Sequence, residues 1–195
     1  MKHYTKEITV KKKYPVIGLT GVVGSGKDSV AEIFSEQYRF IRLGFADPIY
    51  EMASIVTRTP AHVLQKREGK EVVLDRVNAS PRKLMQTLGT EWGRQMIDEN
   101  LWINHLDGRL RSIEIRTGLN GLVISDVRFQ NEVDFVHRLG GEVWRVGRPN
   151  NPFAIGDKHA SEKSEFEVDD VIVNNGTLHD LRAAVMGKMV EFFGV

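Results

Sequence analysis

The sequence predicts an α/β fold: a five-stranded parallel sheet with helices packed on both faces. Three observations carry that expectation. Short apolar runs alternate along the chain with stretches whose apolar residues recur at helical spacing. The first run, Val16-Ile17-Gly18-Leu19, leads straight into Gly21-Val22-Val23-Gly24-Ser25-Gly26-Lys27-Asp28-Ser29, a strand, a glycine-rich turn and the start of a helix. The chain has 195 residues, a formal charge of +1 and no cysteine. That is enough for one domain with its own core, residues 1–195, and leaves no disulfide framework.

The elements follow in order. Residues 1–14 are polar and charged, and read as an arm or an edge strand. After the glycine turn, Val30, Ile33, Phe34 and Gln37 give a helix one face. Phe40–Phe45 alternates as a second strand and ends at Ala46-Asp47-Pro48; Ile49, Met52, Ala53 and Val56 mark the next helix. Residues 57–79 are highly charged and read as an exposed helical excursion. Ser80-Pro81 is a helix start, with an N-cap serine and a proline at the first helical position. Leu84, Met85, Leu88 and Trp92 would be its buried stripe, with Arg82 and Gln86 together on another face.

A helix over Leu101–Leu110 and a turn at Gly118–Gly121 precede the apolar strand Leu122-Val123-Ile124-Ser125-Asp126, which has a polar end. Helix Asn131–Leu139 stops at Gly140-Gly141, where a left-handed cap is easy. Strand Glu142–Val146 follows. The stretch 147–167, with Pro149 and Pro152, is a charged insertion that reads either as a mobile lid or as a surface loop. Strand Val171-Ile172-Val173 runs through Asn174-Asn175-Gly176 to Thr177, an N-cap with Asp180 three residues on. Leu181, Ala184, Val185, Lys188, Met189 and Phe192 describe the closing helix.

The chemistry begins at the glycine turn. Gly21, Gly24 and Gly26 allow the backbone to curl until successive N–H groups, including that of Ser25, point inward at phosphate oxygens. The following helix adds the positive end of its dipole, and Lys27 adds an ammonium for β- and γ-phosphates. A turn that merely joins strand to helix is the bland alternative. Where the general motif has Ser or Thr after the lysine, this chain has Asp28, then Ser29. Either is a candidate ligand for Mg²⁺, directly or through water.

A phosphate cradle does not distinguish a kinase from a hydrolytic switch. Transfer between two anions needs further cations and the exclusion of water. Asp126-Val127-Arg128 stands at the carboxyl end of a strand, where open α/β sheets place ligands. There Asp126 could position an acceptor or a metal-bound water, and Arg128 could clamp a phosphate; a structural ion pair is the alternative. Arg82 and Arg94 are the second source of charge. The third is the 147–167 insertion, with Arg145 and Arg148 at its entrance and His159-Ala160-Ser161-Glu162 inside it. Arg148 is the candidate lid arginine.

The near-neutral balance gives no support to a nucleic-acid binder, and Lys11-Lys12-Lys13 reads as a solvated run. The six histidines lack zinc-ligand spacing. Neither a signal-peptide core nor an apolar stretch of bilayer length is found, so a cytoplasmic protein without membrane attachment is expected.

Several blocks together resemble the deoxynucleoside monophosphate kinase family of bacteriophage type. They are Gly24-Ser25-Gly26-Lys27-Asp28-Ser29, Phe45-Ala46-Asp47-Pro48, the run Pro81–Arg94 with its Trp92-Gly93-Arg94 ending, Asp126-Val127-Arg128-Phe129-Gln130-Asn131-Glu132, Trp144-Arg145-Val146, His159-Ala160-Ser161-Glu162 and Asn175-Gly176-Thr177-Leu178. They span about residues 15–183 in the family's order, and Asp after the cradle lysine is at home there. The resemblance implies a P-loop nucleoside-monophosphate-kinase-like three-layer fold with a lid over 147–167 and an acceptor-binding helical region over 57–110. It implies transfer of the γ-phosphoryl of ATP to a deoxynucleoside 5′-monophosphate with Mg²⁺, in the host cytoplasm if the chain is of phage origin.

By the same analogy Arg82, Arg94 and Arg128 would hold the acceptor phosphate, with Gln86 beside them. Phe45, Asp47 and Asp126 would meet its base or sugar. Trp92 or Trp144 would either stack on the base or pack in the core. Asn175 and Gly176 would seat the adenine of ATP. The family is often dimeric, which makes a homodimer an expectation of the resemblance. The rivals are another small-molecule P-loop kinase, acting on phosphomevalonate or dephospho-coenzyme A, a nucleotide-driven switch, and a non-catalytic nucleotide-binding subunit.

Overall fold

The computed structural model describes residues 14–66, 69–116, 120–149 and 166–193. The arm 1–14, apart from its last residue, and most of the 147–167 insertion, including His159 to Glu162, lie outside these. The described residues fall into two compact units: one holds those up to Arg42, 120–149 and 166–193, the other holds those from Leu43 to 116.

The first unit carries the sheet. Its strands are β1 (Val16–Thr20), β2 (Ile41–Leu43, whose last residue is assigned to the second unit), β3 (Leu122–Ile124), β4 (Glu142–Gly147) and β5 (Asp170–Val173), in the order β2-β3-β1-β4-β5. Strand β1 pairs in parallel with β3 and with β4, and β4 in parallel with β5. All five residues of β1 are buried, as a central strand covered on both faces requires.

The period of two sorts its side chains. Ile17 and Leu19 join the core built from α1 (Lys27–Tyr38) and α7 (Leu178–Phe193), around Phe34, Phe40, Trp144, Val185 and Met189. Gly18 turns the other way, where a β-carbon would press on Val127, Val136 and Val143. Val136 belongs to α6 (Gln130–Arg138), so helices cover both faces and the architecture is three-layered. That is the expected fold. Gly140, at φ 77°, ends α6 as its sequence anticipates. Strands β2 and β3 are shorter than their apolar runs.

The second unit is helical: α2 (Asp47–Thr57), α3 (Ala61–Leu64), α4 (Pro81–Gln86), a π-helix over Thr87–Ile97 and α5 (Leu101–Arg116). Ser80 caps α4 as expected, its hydroxyl accepting from the Lys83 N–H at 3.3 Å. Two expectations need correction. In the stretch 57–79 the described residues after Thr57, which ends α2, are α-helical only over the single turn of α3; further on they run in turns with a Leu74–Ala79 bridge, because the charged sequence offers no apolar face to hold a longer helix. The stripe Leu84, Met85, Leu88 and Trp92 is only half-buried, and Gly89, Thr90 and Gly93 are the buried positions. For Leu88 and Trp92 the reason is the π-helix: Asp98 N–H reaches back five residues to the Gly93 carbonyl, and the wider turn rotates the face away from the α-helical reading.

Candidate active site

The loop Gly21–Gly26 leaves the carboxyl end of β1, whose neighbours β3 and β4 come from opposite directions of the winding. This is the switch point at which open α/β sheets hold ligands. Gly21 and Gly26 are required there. Gly21 has φ 141° and lies against the Val146 carbonyl; Gly26 has φ 105°, caps α1, and lies against the Asn174 side chain. An L side chain at either would meet both backbone strain and an occupied space.

Lys27 opens α1 and folds its ammonium back over the loop, donating to the carbonyls of Gly21 and Val22, the latter at 3.0 Å. Ser25 is fully buried; its N–H donates to the Val22 carbonyl at 3.2 Å, and its hydroxyl has no hydrogen-bond partner among the described residues. Ser25 thus serves the loop through its backbone, with its hydroxyl turned inside.

Asp28 is exposed in the first turn of α1, where a carboxylate complements the helix dipole. It is ion-paired with Arg42, whose Nε also donates to the Ser125 hydroxyl at 3.3 Å. In the sequence Arg42 stands only as one polar residue of an alternating strand, with no local signal of this pairing. For Mg²⁺, which takes one or two carboxylates and completes its shell with substrate phosphates and water, an accessible Asp28 beside the half-buried Ser29 is a fitting donor pair.

Asp126-Val127-Arg128 is fixed at the end of β3. Val127 N–H donates to the Leu19 carbonyl at 3.0 Å, tying the segment to β1. Buried Glu132 accepts from the N–H groups of Arg128 at 2.7 Å and Phe129 at 3.1 Å. The side chains of Asp126 and Arg128, both half-buried, therefore leave a backbone pinned from two directions. At the end of β4, Arg145 donates to the Phe166 carbonyl at 3.0 Å, and Arg148 is exposed. After β5, Asn175 and Gly176 are exposed, and Thr177 and Asp180 cap α7 reciprocally. The Thr177 hydroxyl and N–H hold the Asp180 carboxyl below its ordinary pKa. Lys27, Asp28, Arg42, Asp126, Arg128, Asn175 and Gly176 are thus all borne by the first unit, at or next to the carboxyl ends of its strands.

Trp144 resolves one alternative. It is 1% exposed, packs against Phe34 and Phe192, and donates its indole N–H to Glu142 at 2.8 Å. Its role is core packing, which takes it out of the set available to stack on a base.

The other candidates lie in the second unit. Asp47 opens α2, accepting from the Gly44 N–H at 3.1 Å and pairing with Arg109 at 2.6 Å; Phe45 is buried beside it in sequence. Arg82 pairs with Glu71, and its N–H donates to the Lys70 carbonyl at 2.9 Å. Gln86 is the last residue of α4; Trp92 and Arg94 are half-buried on the π-helix. Trp92 lies 6.4 Å from Trp102, ring centre to ring centre. Trp102, unmarked by the sequence reading, is buried, packs on Gly93 and donates to the Gly89 carbonyl at 2.7 Å, so it braces the segment that carries Arg94. Among the described residues no cluster of three carboxylate, histidine or cysteine ligands forms, and no helix is long and apolar enough to cross a membrane.

Comparison with known proteins bears on this arrangement. The sequence model of the deoxynucleotide monophosphate kinase family matches residues 53–185. A protein of Acanthamoeba polyphaga mimivirus, assigned as a deoxynucleotide monophosphate kinase, is 33% identical over 88% of this chain and 94% of its own. The deoxynucleoside-5′-monophosphate kinase of Escherichia phage T5 is 27% identical over 75% of this chain and 83% of its own. A solved protein of Thermus thermophilus superposes with a TM-score of 0.53 at 20% identity, covering 92% of this chain and 98% of that one, a likeness of fold.

Proposed function

The chain belongs to the deoxynucleotide monophosphate kinase family, and on that premise we propose that it transfers the γ-phosphoryl of ATP to a deoxynucleoside 5′-monophosphate, giving the diphosphate and ADP. The observation that carries the reading is the β1–loop–α1 unit, with left-handed glycines, an inward-curled backbone and Lys27 on the first turn of the helix. Such a unit is suited to polyphosphate and to little else.

In the reaction an oxygen of the acceptor phosphate forms a bond to the γ-phosphorus while the bond to the β,γ-bridging oxygen breaks. The acceptor is already anionic at neutral pH, so no strong general base is required. The work is alignment and charge balance. Lys27 leaves the loop carbonyls for β- and γ-oxygens, a short swing for a flexible side chain. Asp28 and Ser29 would hold Mg²⁺, which neutralises charge on the β- and γ-phosphates when bound.

In the first unit Arg128 takes the acceptor phosphate, and it gains precision from the doubly pinned backbone beneath it. Asp126, beside it at the end of β3, meets the acceptor nucleoside. Asn175 and Gly176 contact the adenine of ATP, and Arg148, at the entrance of the insertion 147–167, supplies charge to the transferring group.

The reading is tested by steady-state kinetics on folded variants. Lys27→Ala lowers turnover with a deoxynucleoside monophosphate by about a hundredfold or more. Arg128→Ala raises the acceptor KM and lowers kcat together while leaving the KM for ATP near its original value. Near-normal turnover in Lys27→Ala contradicts the mechanism.

A further inference from the structure

Asn174 is 8% exposed and directly precedes the residues assigned above to adenine. Its backbone N–H donates to the Gly147 carbonyl at 2.7 Å, fixing it at the end of β5 against β4. Its side-chain amide donates to the Ser25 carbonyl at 2.8 Å, a bond 149 residues apart in sequence. The acceptor is a carbonyl, so the group facing it has to be the NH₂ end of the amide.

That one bond has a consequence for the loop. A trans peptide is planar, with its C=O and N–H pointing in opposite directions. Holding the Ser25 oxygen toward Asn174 therefore turns the Gly26 N–H, on the same plane, the other way. Among the described residues nothing accepts from that N–H. The backbone on either side is tied by Ser25 N–H to the Val22 carbonyl at 3.2 Å and by Val30 N–H to the Gly26 carbonyl at 3.0 Å, and Gly26, at φ 105° with no side chain, leaves the Asn174 amide as the side-chain hold on the plane between them. Gly26 also packs directly on the Asn174 amide, where a β-carbon would displace it.

We propose that Asn174 is a positioning residue that locks the Ser25–Gly26 peptide plane, so that the Gly26 N–H is aimed at the donor's β-phosphate before the nucleotide arrives. The inference rests on the phosphate-cradle reading of the loop. Preorganised donors cost no rotation when charge arrives, which is why such a lock strengthens nucleotide binding without touching the ligand. It also couples the loop to the 174–176 segment, so that the phosphate and adenine ends of one nucleotide are held by a single side chain and its neighbours.

The test uses the full chain and ADP as the probe. Asn174→Ala removes the donor; Asn174→Asp keeps the shape and places an acceptor against a carbonyl. Both are checked for native circular dichroism, then titrated with ADP by calorimetry. Each weakens ADP by about tenfold, the loss expected for one misaimed hydrogen bond to a charged group. The KM for the monophosphate acceptor stays within about twofold of wild type, a separation that a general loss of structure would not produce.

In the wild-type protein, the Gly26 amide resonance moves downfield when ADP binds, a readout independent of whether either variant folds. If folded variants bind ADP as tightly as wild type, or the wild-type Gly26 amide is unmoved by bound ADP, the lock is overturned. Failure of the wild-type protein to bind ADP at all would instead overturn the cradle reading, and the lock with it.

Discussion

A lysine can balance phosphate charge only if it is kept near the loop, and Lys27 is kept there by the carbonyls of Gly21 and Val22. Its neighbour Asp28 is paired with Arg42 in a similar way, so the two charges closest to the cradle are both held by groups they can exchange for phosphate or cation. Asp180, in the cap of α7, is held in the same way by its neighbours. Its carboxyl is held below the ordinary value by Thr177, so the unfolded chain takes up that proton at a higher pH than the folded chain. The cap therefore contributes fully above the ordinary carboxyl pKa, about 3.9, and is lost as pH falls through the lower folded value. In Thr177→Ala the Asp180 pKa, followed by carboxyl NMR, rises toward the ordinary value, and the thermal midpoint loses part of its acid sensitivity. An unchanged titration would contradict the cap. Lys27 and the glycines were legible in the sequence because their spacing is local. Arg42 and Asn174 were not, because their partners lie 14 and 149 residues away and only the fold joins them.

The π-helix is the element on which sequence reading failed most clearly. Read at α-helical period, Leu84, Met85, Leu88 and Trp92 form a buried stripe; the wide turn instead buries the small residues Gly89, Thr90 and Gly93. Small residues there admit the Trp102 ring, and the indole N–H takes the Gly89 carbonyl. No local pattern announces this, since it depends on a tryptophan in the next helix. Trp102→Phe deletes the bond and also shrinks the buried ring that packs on Gly93. It lowers stability by about 2 kcal/mol in urea denaturation, and raises the acceptor KM if Arg94 is held through this brace. Unchanged stability would show that the bond contributes nothing. The ends of α4 and α6, by contrast, were legible: the Ser80 hydroxyl caps its own helix, and Pro81 and Gly140 act through their own backbone preferences.

At the scale of the whole molecule, the sheet order explains why residues so far apart in sequence bear on one chemistry. Placing β1 between β3 and β4 brings the glycine loop, the Asp126–Arg128 segment and the ends of β4 and β5 to the same edge of the first unit. The alternation of apolar runs announced the parallel sheet. It did not settle which aromatic residues were core, and Trp144 proved to be among the most deeply buried. The central claim is that this edge aligns two nucleotide phosphates for transfer between them, not for hydrolysis. Its most direct test incubates the protein with ATP labelled in the γ-phosphate and each of the four deoxynucleoside monophosphates, with ribonucleotide and no-acceptor controls, and resolves the products by chromatography. The account predicts label in a deoxynucleoside diphosphate, dependent on the acceptor; label appearing only as inorganic phosphate, or staying in ATP with all four acceptors, would contradict it.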